Sequence, residues 1–449
     1  MFRILLLLSL VCAAAHGQMT LPQAVEAALS RYPAVRVSEE RAAAAAAGIN
    51  LARTAYLPRA DFLAQVNRAT HNNVFGMLMP QPLPVIPAIS GPVLRTNSLN
   101  NVWGTATGVL VSWEPFDFGL RRAHVAAADA ARGRAAAQAA VTRLEVATAA
   151  ADAFLTMLAA QETVSAARAG VERATVIEGV VGTLARNELR PGADASRARA
   201  ETAFARTQLI QAEQAVEVAR AALAQLAGGE VAAITPGPLL GPAPDAAAAQ
   251  VSAHPAAVAQ NAAVAEAQAR EKALGRSWYP RFALQGGAYA RGTGVQPDGS
   301  TGNAASGLGP NIQNWGVGMS VTFPVFEIAG IRARKEVEAA NERAEEARYR
   351  QVVQDLNGQV AKAQAALTGA RRVAANTPTQ LEAARDAERQ AAARYKAGLA
   401  NIVEVAEAER LFTQAEIDNA LAQLAVWRAG LAVAAAGGDL SQFLRSAGQ

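Results

Sequence analysis

Cysteine, histidine and aromatic residues are all scarce. The 449-residue chain has one cysteine, Cys12, four histidines and 5% aromatics. A lone cysteine excludes a disulfide framework and any multi-cysteine metal site within the chain. Past the N-terminal leader only His71, His124 and His254 remain, far apart and without ligand spacing. No Gly-rich phosphate loop followed by Lys-Ser/Thr occurs, and no nucleophile elbow. No enzyme and no cofactor or metal site is therefore expected. Charge of one sign is missing too: 42 Lys+Arg against 38 Asp+Glu leaves +4, scattered along the chain rather than gathered into the stripe a nucleic acid needs. After the leader no apolar run reads as a transmembrane helix. A membrane role would have to rest on strands.

What is present is alanine, roughly a quarter of the chain and far above ordinary usage. Alanine favours helix and lets helices approach closely, so the 51% hydrophobic content points to long, tightly packed helices. Arg3, the apolar stretch Ile4–Val11 and the small residues of Ala15-His16-Gly17 read as a secretory signal peptide, residues 1–17, cut before Gln18. An N-terminal anchor helix is the alternative, but the run is short for a span. Lipidation at Cys12 is disfavoured by Val11 beside it, and Cys12 is expected to leave with the leader.

The chain is written twice, a signal to be sought early. Pro33 begins a helical run that ends at Pro58, and Pro255 begins another that ends at Pro280. Trp103-Gly104, Gly108 and Phe116-Asp117 answer to Trp315-Gly316, Gly318 and Phe326-Glu327. Arg190-Pro191-Gly192 answers to Lys396-Ala397-Gly398, and each copy closes on Gly-Gly, at 228–229 and 437–438. The pattern predicts helix 34–56, strands 59–68 and 102–113, a long helix over 120–187 of about 100 Å and a return helix 193–227. The second copy gives strands 281–291 and 315–326, a long helix 331–396 and a return helix 399–436. Pro378 should kink or split that long helix. The Gly- and Pro-rich segment 228–244 joins the copies.

The predicted strands alternate with period two. Trp103, Thr105, Thr107, Val109, Val111 and Trp113 share one face; Gly104, Ala106, Gly108, Leu110 and Ser112 share the other. Trp315, Val317, Met319, Val321, Phe323 and Val325 oppose Gly316, Gly318, Ser320 and Thr322. Apolar outward, small or polar inward, with Trp103, Trp113, Trp315 and Phe323 as interface aromatics, fits a bilayer-spanning β-strand. An amphipathic strand of a soluble sandwich shows the same alternation. Four spanning strands cannot close a barrel, and lipid does not tolerate open sheet edges. Three copies give twelve strands, with the helical hairpins forming a tube on the same axis. A secreted structural or adhesive helical rod and a passive outer-membrane porin remain as competing readings.

Taken together, Leu21…Ala24-Val25…Ala28-Leu29…Tyr32-Pro33, the Pro-Phe-Asp-Phe-Gly turn at 115–119 and Tyr395-Lys396-Ala397-Gly398 resemble the outer-membrane factor family. These are the TolC-like exit ducts of Gram-negative efflux pumps and type I secretion systems. The resemblance covers about 20–440. It implies a mainly α fold with a small β part: long antiparallel helical hairpins forming an α-barrel, and four transmembrane strands per protomer in a trimeric 12-strand β-barrel. It also implies a homotrimer in outer-membrane lipid that extends into the periplasm, partnered by a periplasmic adaptor and a proton-driven or ABC inner-membrane pump. On this reading 18–58 and 245–280 are helices leading to the membrane. Segments 59–119 and 281–330 are the barrel hairpins, 120–227 and 331–436 the long periplasmic hairpins, 228–244 the equatorial linker and 437–449 a tail. The inter-strand loops, the first carrying Met79–Pro84, are expected outside the cell.

The family's periplasmic mouth is closed by polar networks near the hairpin tips. The resemblance places Tyr395, Glu404 and Glu407 in that gate, at three before, six after and nine after Gly398. The basic residue expected two after that glycine is Ala400 here. In the first copy the position six after Gly192 is Ala198, leaving Asp194 and Arg197 out of register. Glu404 and Glu407 share a helix face. Facing a lumen they would form a ring of carboxylates that favours cations; the alternative is a pair of solvated surface charges. Arg190, Gly192, Gly398 and Leu399 mark the tips where an adaptor is expected to dock.

Overall fold

The computed structural model describes residues 18–70, 100–244, 250–296 and 298–448. The leader with Cys12, His71 and the Met79–Pro84 stretch lie outside the described residues. The chain divides into two compact units, one comprising Ala44–Arg132 and Ala263–Glu345, the other Met1–Ala43, Gly133–Ala262 and Glu346–Gln449.

The elements run in order α1 (Leu21–Arg31), α2 (Pro33–Thr54), β1 (Arg59–Thr70), β2 (Asn101–Phe116), α3 (Leu120–Arg186), α4 (Gly192–Ala227), α5 (Pro255–Leu274), β3 (Arg281–Thr293), β4 (Ile312–Thr322), α6 (Ile328–Lys396), α7 (Ile402–Gly437) and α8 (Ser441–Ala447). The fold is mainly α with one small sheet, and the helix–strand–strand–helix–helix order appears twice. Thr20 and Gln23 form a capping box that starts α1. Asp117 starts α3: its carboxylate accepts from the backbone N–H of Gly119 at 3.1 Å and of Arg121 at 2.7 Å.

One expectation is corrected and another is narrowed. Strand β4 ends at Thr322 rather than 326, because Pro324 has no N–H to continue a ladder; Phe323 lies outside the strand, and a 3-10 turn follows at Val325–Glu327. Pro378 does not split α6, which runs unbroken through it. The ring removes the donor for the carbonyl four residues back, Ala374. The hydroxyl of Thr377 reaches that same carbonyl at 3.5 Å.

The second unit's core gathers Leu21, Val25 and Ala28 of α1, Phe154, Leu155, Met157 and Leu158 of α3, Leu223 of α4, Trp427 and Leu431 of α7 and Phe443 of α8. Buried alanines fill the spaces between, and Trp427 Nε1 donates to Gly241 O at 2.9 Å. Helix α7 carries a window of mean hydropathy 1.4, long and apolar enough to cross a membrane, which the reading of the sequence passed over. Its apolar residues have partners on two sides. Leu424, Trp427 and Leu431 join the core above, while Ala422, Val426, Val433 and Ala436 pack with Ala363, Leu367 and Ala374 of α6. That makes it the central helix of the unit.

Candidate functional site

In the first unit the four strands form one antiparallel sheet in the order β1-β2-β3-β4. Successive side chains of a strand point to opposite faces, so register decides whether the alternating patterns of the four strands add up. They do. Phe62, Ala64 and Val66 pair with Val109, Thr107 and Thr105. Ala290, Ala288, Gly286 and Leu284 pair with Thr107, Val109, Val111 and Trp113. Trp315, Val317, Met319 and Val321 pair with Ala288, Gly286, Leu284 and Phe282. One face is therefore apolar across the sheet, and Trp315 on it is 81% exposed. The opposite face is mostly small and polar, with Asp61, Gln65 and Asn67, then Gly104, Gly108 and Ser112, then Gln285 and Gly287, then Asn314, Gly316, Gly318 and Ser320, but it also holds an apolar cluster of Leu63, Ala106, Leu110 and Tyr289. Opposite Tyr289 only glycine fits: a Cβ on Gly108 would lie 2.3 Å from Tyr289 Cβ.

Among the described residues β1 pairs only with β2 and β4 only with β3, so both outer edges are open. Trp113 lies at one end of β2, where Nε1 donates to Tyr56 O at 3.0 Å. Nearby, Phe116, Phe118, Tyr279 and Phe282 form an aromatic cluster with ring centroids 4.6–6.1 Å apart. The sequence reading used Phe116 and Phe118 as repeat and turn landmarks but did not bring these four rings together, because their contact joins residues far apart in the chain. Trp103 sits towards the other end of β2 under the Arg68 guanidinium, 5.0 Å from its centroid. Beside the cluster Asp117 and Arg121 form a buried ion pair at 2.8 Å. Arg121 also lies over Tyr56 and donates to Ala55 O. Burial opposes ionisation of Asp117, but hydrogen bonds from Arg121 and Gly119 outweigh it and hold the carboxyl below its ordinary range.

In the second unit the turns between α3 and α4 and between α6 and α7 close in the same way. Leu189 N–H reaches back to Leu184 O at 3.0 Å, and Leu399 N–H to Arg394 O at 2.9 Å. Each turn has one residue in the left-handed region, Glu188 (φ 58°) and Gly398 (φ 77°). The return helices then start at matching N-caps, Pro191 and Asn401. Glu188, not Gly192, is thus the counterpart of Gly398; Gly192 is the first residue of α4. This corrects the alignment read from the sequence by four residues. With the correction Asp194 stands six after the turn residue, as Glu404 does, and Arg190 stands two after it.

Those two residues meet Tyr395. Arg190 Nη2 donates to Tyr395 O at 2.7 Å and the guanidinium lies 4.6 Å from the Tyr395 ring centroid. Tyr395 Oη donates to Asp194 Oδ2 at 3.3 Å. Burial, with the Asp194 carboxylate beside it, pushes the phenol above its ordinary pKa. Tyr395 packs with Val181, Ala198, Ala400, Ile402 and Val405, so Ala198 and Ala400 serve as small packing positions. Glu404 and Glu407 are both exposed on α7. Glu404 lies 3.8 Å from Arg394 and its backbone N–H is capped by Asn401 at 3.0 Å. Leu399 projects into solvent. Among the described residues no group of His, Cys, Asp or Glu is arranged to hold a metal.

A family model for outer membrane efflux proteins matches residues 24–229 and 250–439. The chain belongs to this family. No curated protein matches it. Solved structures with the same fold include the Campylobacter jejuni CmeC outer membrane channel, 17% identical, covering 93% of this chain and 85% of that one at a TM-score of 0.74. The open state of the Neisseria gonorrhoeae MtrE outer membrane channel is 21% identical, covering 94% and 89% at 0.72. The outer membrane protein VceC of Vibrio cholerae is 18% identical, covering 93% and 96% at 0.71.

This outer membrane efflux protein is therefore a channel of tripartite export, resident in the outer membrane and extending into the periplasm. The rod and porin readings fall away. The family and its structural neighbours are channels rather than enzymes, and membership implies trimeric assembly with adaptor and pump partners.

Proposed function

We propose that three copies of this chain close a 12-strand barrel, β4 of one copy pairing with β1 of the next, and that the barrel opens into a tube built from the long helical hairpins. Segments 59–119 and 281–330 are the barrel hairpins and 120–227 and 331–436 the periplasmic hairpins. Segments 18–58 and 245–280 lead between them, 228–244 is the equatorial linker and 437–449 the tail. The observation that carries this reading is the sheet itself: one face apolar across all four strands, the other mostly small and polar, and both edges unpaired among the described residues. An open edge in lipid leaves backbone groups without partners, each costing several kcal/mol, and a second copy supplies them. Trp103, Trp113 and Trp315 belong to the lipid-facing side, Trp113 at one interface; Phe323 follows the strand end.

Tyr395, Glu404 and Glu407 form the periplasmic gate, with Arg190 and Asp194 tying the two hairpins of each copy together. Arg190, Gly192, Gly398 and Leu399 mark the end that a periplasmic adaptor reaches. Export energy comes from the inner-membrane pump, which selects the cargo. The test is the native mass of the full-length protein extracted from outer membranes in mild detergent. A species of three subunits that collapses to one on heating is expected; a monomer that stays folded in that extract refutes the barrel.

A further inference from the structure

Helices α3, α6 and α7 meet at a charged cluster that neither the barrel nor the tips use. Glu409 lies on the buried stripe of α7, with Ile402, Val405, Phe412 and Ala415, and is 8% exposed. Its Oε1 accepts from Arg173 Nε of α3, while Oε2 is buried with no hydrogen-bond partner among the described residues. Arg173 is shared: Nη2 donates to Glu416 Oε2 at 2.9 Å and to Thr413 Oγ1 at 2.8 Å, and the guanidinium lies 4.5 Å from the Phe412 ring centroid. From α6, Arg385 lies 5.5 Å from the same ring and Glu388 adds its negative charge. From α4, Glu201 is engaged by Arg197 and Arg410. Two carboxylates, Glu409 and Glu416, thus share one half-buried guanidinium, Glu388 adds a third negative charge near Glu409, and the most buried of the three has an oxygen that no donor reaches among the described residues. A buried acceptor without a donor is costly, more so when charged; as a neutral acid the same group loses most of that cost. A groove between α3, α4 and α7, lined by Phe204, Ile402 and Leu411, borders Glu409 and opens a path for a proton from water.

We propose that Glu409 is a proton-operated joint: with a proton it holds α3, α6 and α7 together below the hairpin tips, and as the carboxylate it loosens them. Burial is the main cause that pushes Glu409 above the ordinary carboxylate range; Arg173 works against it, and Glu388 and Glu416 reinforce it. A group that binds its proton more tightly in the packed state than in the opened one stabilises packing below its raised pKa and stops doing so as pH rises through it. Acid therefore tightens this joint, the reverse of a simple ion pair.

The experiment is hydrogen exchange, read by mass spectrometry, on the full-length protein in detergent from about pH 5 to about pH 8, corrected for intrinsic exchange. In the unmodified protein, peptides covering 170–176, 383–390 and 406–416 are expected to exchange faster at the alkaline end than at the acid end. Glu409→Gln, uncharged and of the same shape, is expected to exchange slowly at every pH. Glu388→Gln removes one repelling carboxylate from a half-buried position and is expected to move the transition to lower pH and to shrink its amplitude, because both follow from the same pKa difference. Protection independent of pH in the unmodified protein, or a Glu409→Gln variant that keeps the unmodified pH response, overturns the proposal. If Glu409→Gln does not fold, Glu388→Gln decides alone: an unmoved midpoint overturns it.

Discussion

Replacing Arg190 by alanine removes the one side chain that ties the first hairpin tip to the second through both a hydrogen bond and a ring contact. The bond to Tyr395 O at 2.7 Å is charge-assisted, a class worth about 1.5–3 kcal/mol net. The guanidinium over the Tyr395 ring adds about 0.5–1 kcal/mol. Two features reduce the sum. Arg190 is half-exposed, so solvent screens it, and Tyr395 O also accepts from Gly398 N–H at 3.1 Å, so the carbonyl is not orphaned. The expected loss is about 2 kcal/mol, roughly a thirtyfold rise in local opening of the tips. Hydrogen exchange of peptides spanning 184–192 and 393–402 reads it directly, with the core around Trp427 as the internal standard. Tyr395→Phe removes only the 3.3 Å contact with Asp194 and is expected to cost less than about 1 kcal/mol. Equal exchange at both tips in Arg190→Ala and the unmodified protein would refute the latch.

Val109→Arg places a cation on the apolar face in the middle of β2 and is expected to cost about 2–4 kcal/mol of insertion. Val321→Arg lies one residue from the end of β4 and is expected to cost less. Unchanged amounts of both variants in isolated outer membranes would reverse the facing assignment. Glu404→Ala combined with Glu407→Ala is expected to weaken cation selectivity and cation block in planar bilayers; identical currents remove both from the gate. Asp117→Ala strands the buried Arg121, a loss of roughly 3–5 kcal/mol, read as a lower melting temperature. Because the Asp117 carboxyl is held below its ordinary value of 3.8, its contribution is complete above that pH and is lost as pH falls through the depressed value. The unmodified protein should thus lose more stability on strong acidification than the variant does.

The architecture was legible because it is periodic. Alternation in 103–113 and 315–321 named the apolar face before any pairing was known, and long runs without proline named α3 and the two return helices. The return-helix bounds fell within a few residues. What could not be read was chemistry that depends on contact between distant segments. Arg173 and Glu409 are 236 positions apart, and each taken alone is an ordinary charge on an Ala-rich helix. The contact from Thr377 to Ala374 O is local and of a kind threonines make throughout these helices, so it could have been read from the sequence. The tip alignment failed for a narrower reason. Glycine marks a left-handed turn residue in most sequences, so Gly192 drew the alignment away from Glu188. The signal available instead was the helix start: Pro191 and Asn401 are the two N-caps, and matching them restores the register of Arg190 and Asp194.

That register implies that the two copies have divided one task. Both turns require a residue at positive φ, but only the second uses glycine there, while only the first keeps a basic residue two positions on. Ala400, where that base is absent, is buried against Tyr395. An arginine in that position would have to displace the packing that holds the tyrosine, whereas Arg190 reaches Tyr395 from the other hairpin. The first turn holds Glu188 at φ 58°, a conformation that costs a residue with a Cβ about 1 kcal/mol. Glu188→Gly relieves that strain but adds freedom to the unfolded chain, for a net gain of about 0.5 kcal/mol. Gly398→Ala meets nothing closer than Arg190 Nη2 at 3.8 Å, so its cost is conformational alone, again about 1 kcal/mol. Opposite signs at equivalent turns, read as local exchange rates, are what a shared turn geometry demands. A destabilising Glu188→Gly would mean that the Glu188 side chain holds something at the tip that outweighs its own backbone.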